Sequence, residues 1–386
     1  MKMDTGLKLN KVRAQVTKIF DNDMHLKRQH SLADAALGLM NSGKSLRLHA
    51  LGEGLAAAKK LIKKHATKQI DRLLSNKKLI IWDIAKYWVP YVIGKRNSIE
   101  IALDWTSFWH DEQKMLSLNL LTKHGRATPL IWISVLNQKL KNNSARYEDQ
   151  ILSQLKSVLP ENVRVTLVAD RGFASYRFFD FIEKELGFEY VIRIKSSTTV
   201  ISNKGTVKKA KEWVHPEGRA RVIKGATLTK DDFPVEQVIV TREKNMKDAW
   251  YLVTNCKDRK TREIINLYGR RWKIEPYFRD VKDQRFGFGL SQTHIKCPER
   301  RDRLFLIIAL VYVLFTLLGA AGEELGFDRK LKVNTVKTRT HSLIRQGMFY
   351  YDFFQNFTEE EKEKLACRFN MLLEQHGIWE DVLCVI

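Results

Sequence analysis

Cysteine is scarce in this chain, and where it falls excludes two classes of protein. The four cysteines, Cys256, Cys297, Cys367 and Cys384, are widely scattered, and none belongs to a C-x-x-C pair. Neither a disulfide framework nor a zinc site is indicated, which fits a reducing cytoplasm. The N-terminal stretch lacks the charged-then-apolar pattern and the small-residue cleavage site of a secretory signal. Long apolar runs are equally rare. Leu304 to Ala321 is the single one, about as long as the shortest membrane spans, and it follows Arg300, Arg301 and Arg303 as a cytoplasmic flank would. A helix fully buried in a large core gives the same pattern, and that is the reading preferred here.

Negative charge is short as well: 44 Asp and Glu face 67 Lys and Arg, a formal net charge of +23. So large an excess implies a polyanionic partner, most often nucleic acid, because counterions released from phosphates drive binding. A merely basic soluble protein is the bland alternative. The 386 residues can bury a full core and suggest two or three domains. A hydrophobic share of 44% with 29% charged residues is that of a globular protein.

Residues 1–93 read as helical, with Leu, Ile and Ala recurring at three- and four-residue steps and Pro90 the first proline. Within them, Ser45 to Leu55 and the basic run Lys59, Lys60, Lys63, Lys64, Lys68 and Arg72 predict two short helices broken at Gly52 and Gly54. That pattern is compatible with a DNA-contacting helix-turn-helix. After Arg96 the period changes. Three strands are expected around Ser98 to Thr106, Lys114 to Thr122 and Thr128 to Leu136. A helix (Arg146 to Val158), a buried strand ending at Asp170, a helix (Tyr176 to Leu186) and a strand (Glu189 to Lys195) follow. This α/β order is that of a ribonuclease-H-like sheet. Residues 196–248 look like an inserted β subdomain. Trp250 to Thr254 returns as a strand, Thr261 to Arg285 is helical apart from Pro276, and a helical tail spans Glu359 to Gln375.

Asp104 and Asp170 share a context: each is expected to end an apolar strand, where a ligand can reach the rim of a sheet. Taken alone, either could be a loop or helix cap. In the helix that follows, Tyr268, Arg271, Glu275 and Lys282 lie at offsets of 3, 7 and 14. At ~100° per residue they fall within an arc of about 60°. One carboxylate among two cations and a phenol suits a site that binds metal and phosphate together. A solvated face with helix salt bridges is the plain alternative. Pro276 biases Glu275 away from helical geometry and could splay the arc.

Tyr268-x2-Arg271-x3-Glu275-x6-Lys282 resembles the Y-R-E-K signature of bacterial insertion-sequence transposases of the DDE class, of the insertion-sequence-four family. The resemblance extends to Asp104 in Leu-Asp-Trp, Asp170 in Ala-Asp-Arg-Gly-Phe, Trp250-x-Leu-x-Thr, and stretches around His30 and Ile70 to Leu74. It covers nearly the whole chain and is closest to the tetracycline-transposon type. Arg171 departs from the small residue usual after the second Asp. The resemblance implies a ribonuclease-H-like catalytic domain (94–195 and 249–340) with a β insertion (196–248), a helical DNA-binding domain (1–93) and a helical C-terminal region (341–386). It implies Asp104, Asp170 and Glu275 as a catalytic and metal-binding triad holding two Mg²⁺ ions, with Mn²⁺ as substitute. It also implies nicking of element ends, DNA hairpins made and opened by the freed 3′-OH, and joining to target DNA. Trp250 would be the stacking platform for a flipped base, with Tyr268, Arg271 and Lys282 on the DNA. The partners implied are double-stranded DNA (terminal inverted repeats and target) and a second copy in a homodimer, in the cytoplasm at the bacterial nucleoid.

Three signals compete. Gly38 to Ser45 matches the Walker A pattern, but such a loop must follow a strand, and Leu32 to Leu37 is helix-like. His110, Asp111 and Glu112 form an acidic cluster near Asp104 that reads as a turn, since three consecutive side chains cannot all face one ion. A DNA-binding repressor or another ribonuclease-H-like nuclease would explain the charge, but a repressor leaves the carboxylates and the cationic helix face unexplained.

Overall fold

The computed structural model describes residues 9–20, 24–122, 124–228, 233–244 and 246–374. Its first five helices are α1 (Leu9–Phe20), α2 (Leu26–Asn41), α3 (Leu48–Lys59), α4 (Lys63–Leu74) and α5 (Ile81–Ile93). The break expected at Gly52 and Gly54 is not there. Helix α3 runs through both, and the chain turns at Lys60, whose φ of 54° is left-handed. The glycines serve close approach instead. A Cβ on Gly54 would lie 2.2 Å from the Gly38 carbonyl oxygen of α2, and one on Gly52 would lie 2.1 Å from Thr67 Oγ1 of α4. Gly38 is itself helical, so the Walker-like stretch starts inside α2 rather than after a strand, and Lys44 pairs with Asp352 at 2.5 Å.

The sheet is built from β1 (Ser98–Phe108), β2 (Gln113–Leu121), β3 (Ala127–Leu136), β4 (Arg164–Ala169), β5 (Glu189–Arg193), β6 (Thr199–Ile201), β7 (Val207–Lys209), β8 (Arg221–Leu228), β9 (Phe233–Thr241) and β10 (Trp250–Thr254). Between them lie α6 (Asn137–Leu140), α7 (Ser144–Val158) and α8 (Tyr176–Asp180). Ten strands form one sheet in the order β3-β2-β1-β4-β5-β10-β9-β8-β6-β7. β1, β4 and β5 are parallel, while β2 and β10 flank them antiparallel. Strands β6 to β9, from the segment 196–248, continue the same sheet beyond β10.

The chain closes with α9 (Thr261–Arg270), α10 (Ile274–Lys282), α11 (Pro298–Glu324), α12 (Leu343–Asp352) and α13 (Glu359–Glu374). Gln375, the last residue of the expected tail helix, lies outside the described residues. Helix α11 carries the long apolar run, and from Arg301 to Gly322 it is buried on every side. It packs against β3, α2, α12 and α13, so protein surrounds it where a membrane anchor would meet lipid. The arginines before the run do not flank a bilayer. Arg303 donates to the carbonyls of Leu74 and Leu79, each at 3.0 Å, capping the end of α4. Arg300 pairs with Asp71 at 2.6 Å.

β3 stands at one end of the sheet, and an open edge strand leaves ladder groups unpaired. Here side chains take them up. Trp88 Nε1 donates to Pro129 O at 2.9 Å, and Trp82 Nε1 donates to Trp132 O at 3.2 Å, both from α5. From α11, both carboxylate oxygens of Asp302 accept the Ser134 N–H, at 2.9 and 3.2 Å. The helical N-terminal region and the sheet are thereby one packed body.

Burial pushes the Asp302 carboxyl up to about 7 against the opposing pull of the Ser134 bonds. A raised folded pKa means that the full contribution to stability is present below about pH 4 and is lost as pH rises through about 7. Asp302→Asn keeps an acceptor for Ser134, so its unfolding midpoint in urea should lose that pH 4–7 decline while wild type shows it. Parallel pH profiles for the two proteins would show that Asp302 does not titrate in this range.

Candidate active site

The parallel ladder between β1 and β4 ends with the pair Leu103–Ala169. The next residue on each strand is Asp104 and Asp170, so the two carboxylates stand at one rim on strands about 4.8 Å apart. The expectation that both end strands holds for Asp170 only. β1 runs on to Phe108 because β2 keeps pairing with it, from Asp104–Ser117 through Phe108–Gln113. Asp104 therefore sits where β1 passes beyond the end of β4. Asp170 is held by its own turn, accepting the Gly172 N–H at 2.7 Å, and the Arg171 side chain between them is exposed.

The helix expected over Thr261 to Arg285 is two helices. A 3-10 turn, Arg271–Lys273, separates α9 from α10, and α10 stops at Lys282. That turn accommodates Pro276, which becomes the third residue of a restarted helix. In a first turn the N–H groups have no intrahelical acceptor, so the missing one costs nothing and Glu275 stays helical.

The four residues of the expected arc reach the rim in different ways. Arg271 is buried, with Nη1 at 3.7 Å from Asp104 Oδ2. Tyr268 is buried beneath it, its ring 5.8 Å from the guanidinium. Lys282 donates to Thr106 Oγ1 at 3.0 Å and Ser107 O at 2.8 Å, on the part of β1 beyond Asp104. Glu275 is exposed, yet its charge is felt at Asp104. Trp250 is half-buried at the start of β10 and meets Tyr268 edge-on at 5.0 Å between ring centres.

Asp104 carries the electrostatic signature of this convergence. Burial first, then the charges of Asp170 and Glu275, push its carboxyl up to about 6, while Arg271 and the Trp105 backbone N–H pull it down. Arg193 belongs to the same rim and was not singled out in the sequence. It follows Ile192, the partner of Ala169, on β5, and so occupies the place beside Asp170. Its Nη2 donates to Ala249 O at 3.1 Å, and its Nε is buried with no partner among the described residues. The signal was the one used for Asp170, a charged residue closing an apolar strand (Tyr190-Val-Ile-Arg193).

An all-carboxylate donor set suits a hard divalent ion such as Mg²⁺. Among the described residues no three His, Cys, Asp or Glu side chains already stand close enough to hold an ion. The fit is one of donor type and charge: the charges of Asp170 and Glu275 help to raise the Asp104 carboxyl, and such gathered negative charge is what a divalent cation would neutralise. The His110–Glu112 cluster is not part of it. Trp109–Asp111 is a 3-10 turn, and Asp111 pairs with Arg301 at 2.5 Å.

Because Arg271 holds the Asp104 carboxyl down, Arg271→Gln should move its midpoint from about 6 to a higher pH. A ¹³C-carboxyl NMR titration in metal-free buffer reads this directly, and an unchanged midpoint would detach Arg271 from Asp104.

The family model described as transposase DDE domain matches residues 101–314. That span contains Asp104, Asp170, Arg193, Trp250, Tyr268, Arg271, Glu275 and Lys282, and it leaves α1 to α5, α12 and α13 outside. No curated protein matches the chain. With the match covering more than half of the sequence, and the carboxylates and cations of one sheet rim inside it, the chain belongs to the transposase DDE domain family.

Proposed function

We propose that this DDE transposase is a cut-and-paste enzyme of the insertion-sequence-four family with the Y-R-E-K signature, close to the tetracycline-transposon type. The observation that carries the reading is the placing of Asp104 and Asp170 side by side, with Arg271 from the turn between α9 and α10 beside Asp104 and Glu275 of α10 near enough to act on it electrostatically. The order β3-β2-β1-β4-β5, antiparallel on the β2 side and parallel through β1, β4 and β5, supports a ribonuclease-H-like core extended by the inserted strands. Asp104, Asp170 and Glu275 would hold Mg²⁺, or Mn²⁺ in its place, as two ions. Bound there, such ions supply the charge that activates an attacking oxygen and stabilises a leaving one.

The chain's own residues do the rest. Arg271, Arg193 and Lys282 bind and orient phosphates of the scissile strand, Arg271 as a planar fork over a buried tyrosine. Tyr268 is the positioning residue for Arg271 and packs against Trp250. Trp250 offers its partly exposed ring to an extrahelical base during hairpin formation, and Arg171 is placed to meet the flanking backbone. Lys64, Lys68 and Arg72 are exposed on α4, opposite its buried Ala66, Ile70 and Leu73. That cationic face supports α1 to α5 as the unit that grips the terminal inverted repeats, in a homodimer, at the nucleoid.

Asp104→Asn, Asp170→Asn and Glu275→Gln keep each side chain's shape. Each should cut Mg²⁺-dependent cleavage of DNA carrying the flanking element's ends by at least about 10³-fold. Binding of those ends in a gel-shift assay should stay within about twofold, since phosphate contacts position the duplex. Ordinary cleavage by any one variant would remove that residue from the triad. Trp250→Ala should accumulate first-strand nicks without hairpins, and Trp250→Phe should restore them; a normal hairpin yield in the alanine variant would reduce Trp250 to packing.

A further inference from the structure

Beyond Asp104, β1 and β2 project past the rim and close in the 3-10 turn Trp109–Asp111. At its tip Trp109 is 77% exposed, a greater exposure than any other large apolar side chain reaches among the described residues. A hairpin turn has no need of an indole there, and tryptophan, with its apolar body and polar N–H, is enriched at interfaces.

The turn is also anchored far more firmly than a loop requires. Phe108 is buried, with Arg301 Cζ 4.0 Å from its ring centre on one hand and Lys282 Nζ 5.2 Å from it on the other. Arg301, fully buried, pairs with Asp111 at 2.5 Å and donates to Gln113 Oε1 at 2.9 Å. Gln113 and Arg301 also donate to Ile295 O, at 2.8 and 3.2 Å, which straps the 293–296 loop to the hairpin base. That loop brings exposed His294 to 6.1 Å from exposed His110, ring centre to ring centre, with exposed Lys296 two residues on. Phe108 before Trp109 and Asp111 two residues after it are therefore held by buried charge, so the backbone that carries the indole has little freedom left to lose on binding. Glu112 is the one exposed acid of the turn.

The position is as telling as the rigidity. Trp109 directly follows β1, five residues beyond Asp104 and roughly 15 Å away along the strand direction. Lys282, a residue of the candidate active site, is bonded to that very stretch through Thr106 and Ser107. A duplex lying over the carboxylates and running along β1 would reach the tip.

We propose that the β1–β2 tip is a second DNA contact, a wedge in which Trp109 stacks on or between bases beside the reaction site while His110, His294 and Lys296 face the backbone. The inference rests on DNA as the partner of the active site and deepens that reading. Stacking on an aromatic side chain is worth ~1–3 kcal/mol per base by alanine substitution. A loss of about 5- to 150-fold in affinity corresponds to it.

The test uses the full chain and a mixed-sequence duplex with 2-aminopurine at successive positions. Wild type should raise 2-aminopurine fluorescence at one or two neighbouring positions, the mark of a base step opened by a wedge. Trp109→Ala should abolish that rise and weaken binding by about tenfold, Trp109→Phe should keep most of both, and neither should shift the urea midpoint. A Trp109→Ala protein that binds and unstacks like wild type, while its cleavage of element ends stays intact, overturns the wedge and leaves the active-site reading standing. Loss of self-association without any change in DNA binding would make the tip a contact between copies and also overturn it. A wild-type protein that binds no duplex at all sinks both.

Discussion

A helix that is apolar on every face has to be enclosed, and most of this molecule's arrangement follows from enclosing α11. Its buried stretch, Arg301 to Gly322, meets β3 on one side, the N-terminal helices on another, and α12 and α13 on the rest. The tightest approach is to α12. A Cβ on Gly319 would lie 1.8 Å from Leu343 O, and one on Gly347 would lie 1.8 Å from Phe315 O, so glycine on each helix sets their separation. The polar end of α11 then joins what its apolar length has gathered. Arg300 and Arg303 hold α4, Asp302 holds the edge of β3, and Arg301 holds the β1–β2 turn. Four consecutive side chains thus tie the N-terminal helices and the sheet to one another.

At the rim the balance is between like charges and the cations set among them. Asp104 lies deep enough for burial to be the main influence on its carboxyl, and Asp170 and Glu275 add to that. Arg271 offsets them from within the protein and holds the carboxyl below where burial and like charge alone would put it. Glu275, the exposed member, comes from a restarted helix whose first turn can carry a proline.

Much of this was legible in the sequence because strands announce themselves by period. The runs ending at Leu136 and Ala169 and the strands beginning at Glu189 and Trp250 could be read directly, and with them the rim position of Asp170. Asp104 was harder: an apolar run stops there, but the strand does not, because its continuation depends on pairing with β2, a non-local fact. Gly52 and Gly54 misled for a related reason. Glycine marks a break or a close contact with equal force, and only the neighbours Gly38 and Thr67 decide which. The Leu304 to Ala321 run could not reveal whether lipid or protein surrounds it, since hydropathy measures only the avoidance of water. The place of Arg193 beside Asp170 depends on the parallel register of β4 and β5, which the run Glu189 to Lys195 does not reveal by itself. The gathering of Tyr268, Arg271 and Lys282 about one rim was visible as spacing, but not their unequal burial.

The way β3 is finished bears on how two copies could meet. Its outer carbonyls at Pro129 and Trp132 are taken by the indoles of α5, and its Ser134 N–H by Asp302. The opposite end of the sheet is β7, three residues long, exposed, and ending in Lys208 and Lys209. Short lysine-bearing strands are poor templates for another chain. Neither margin invites a continuous sheet across two molecules, so any contact between copies would fall to helices, loops or shared nucleic acid, and could be undone without breaking a strand ladder.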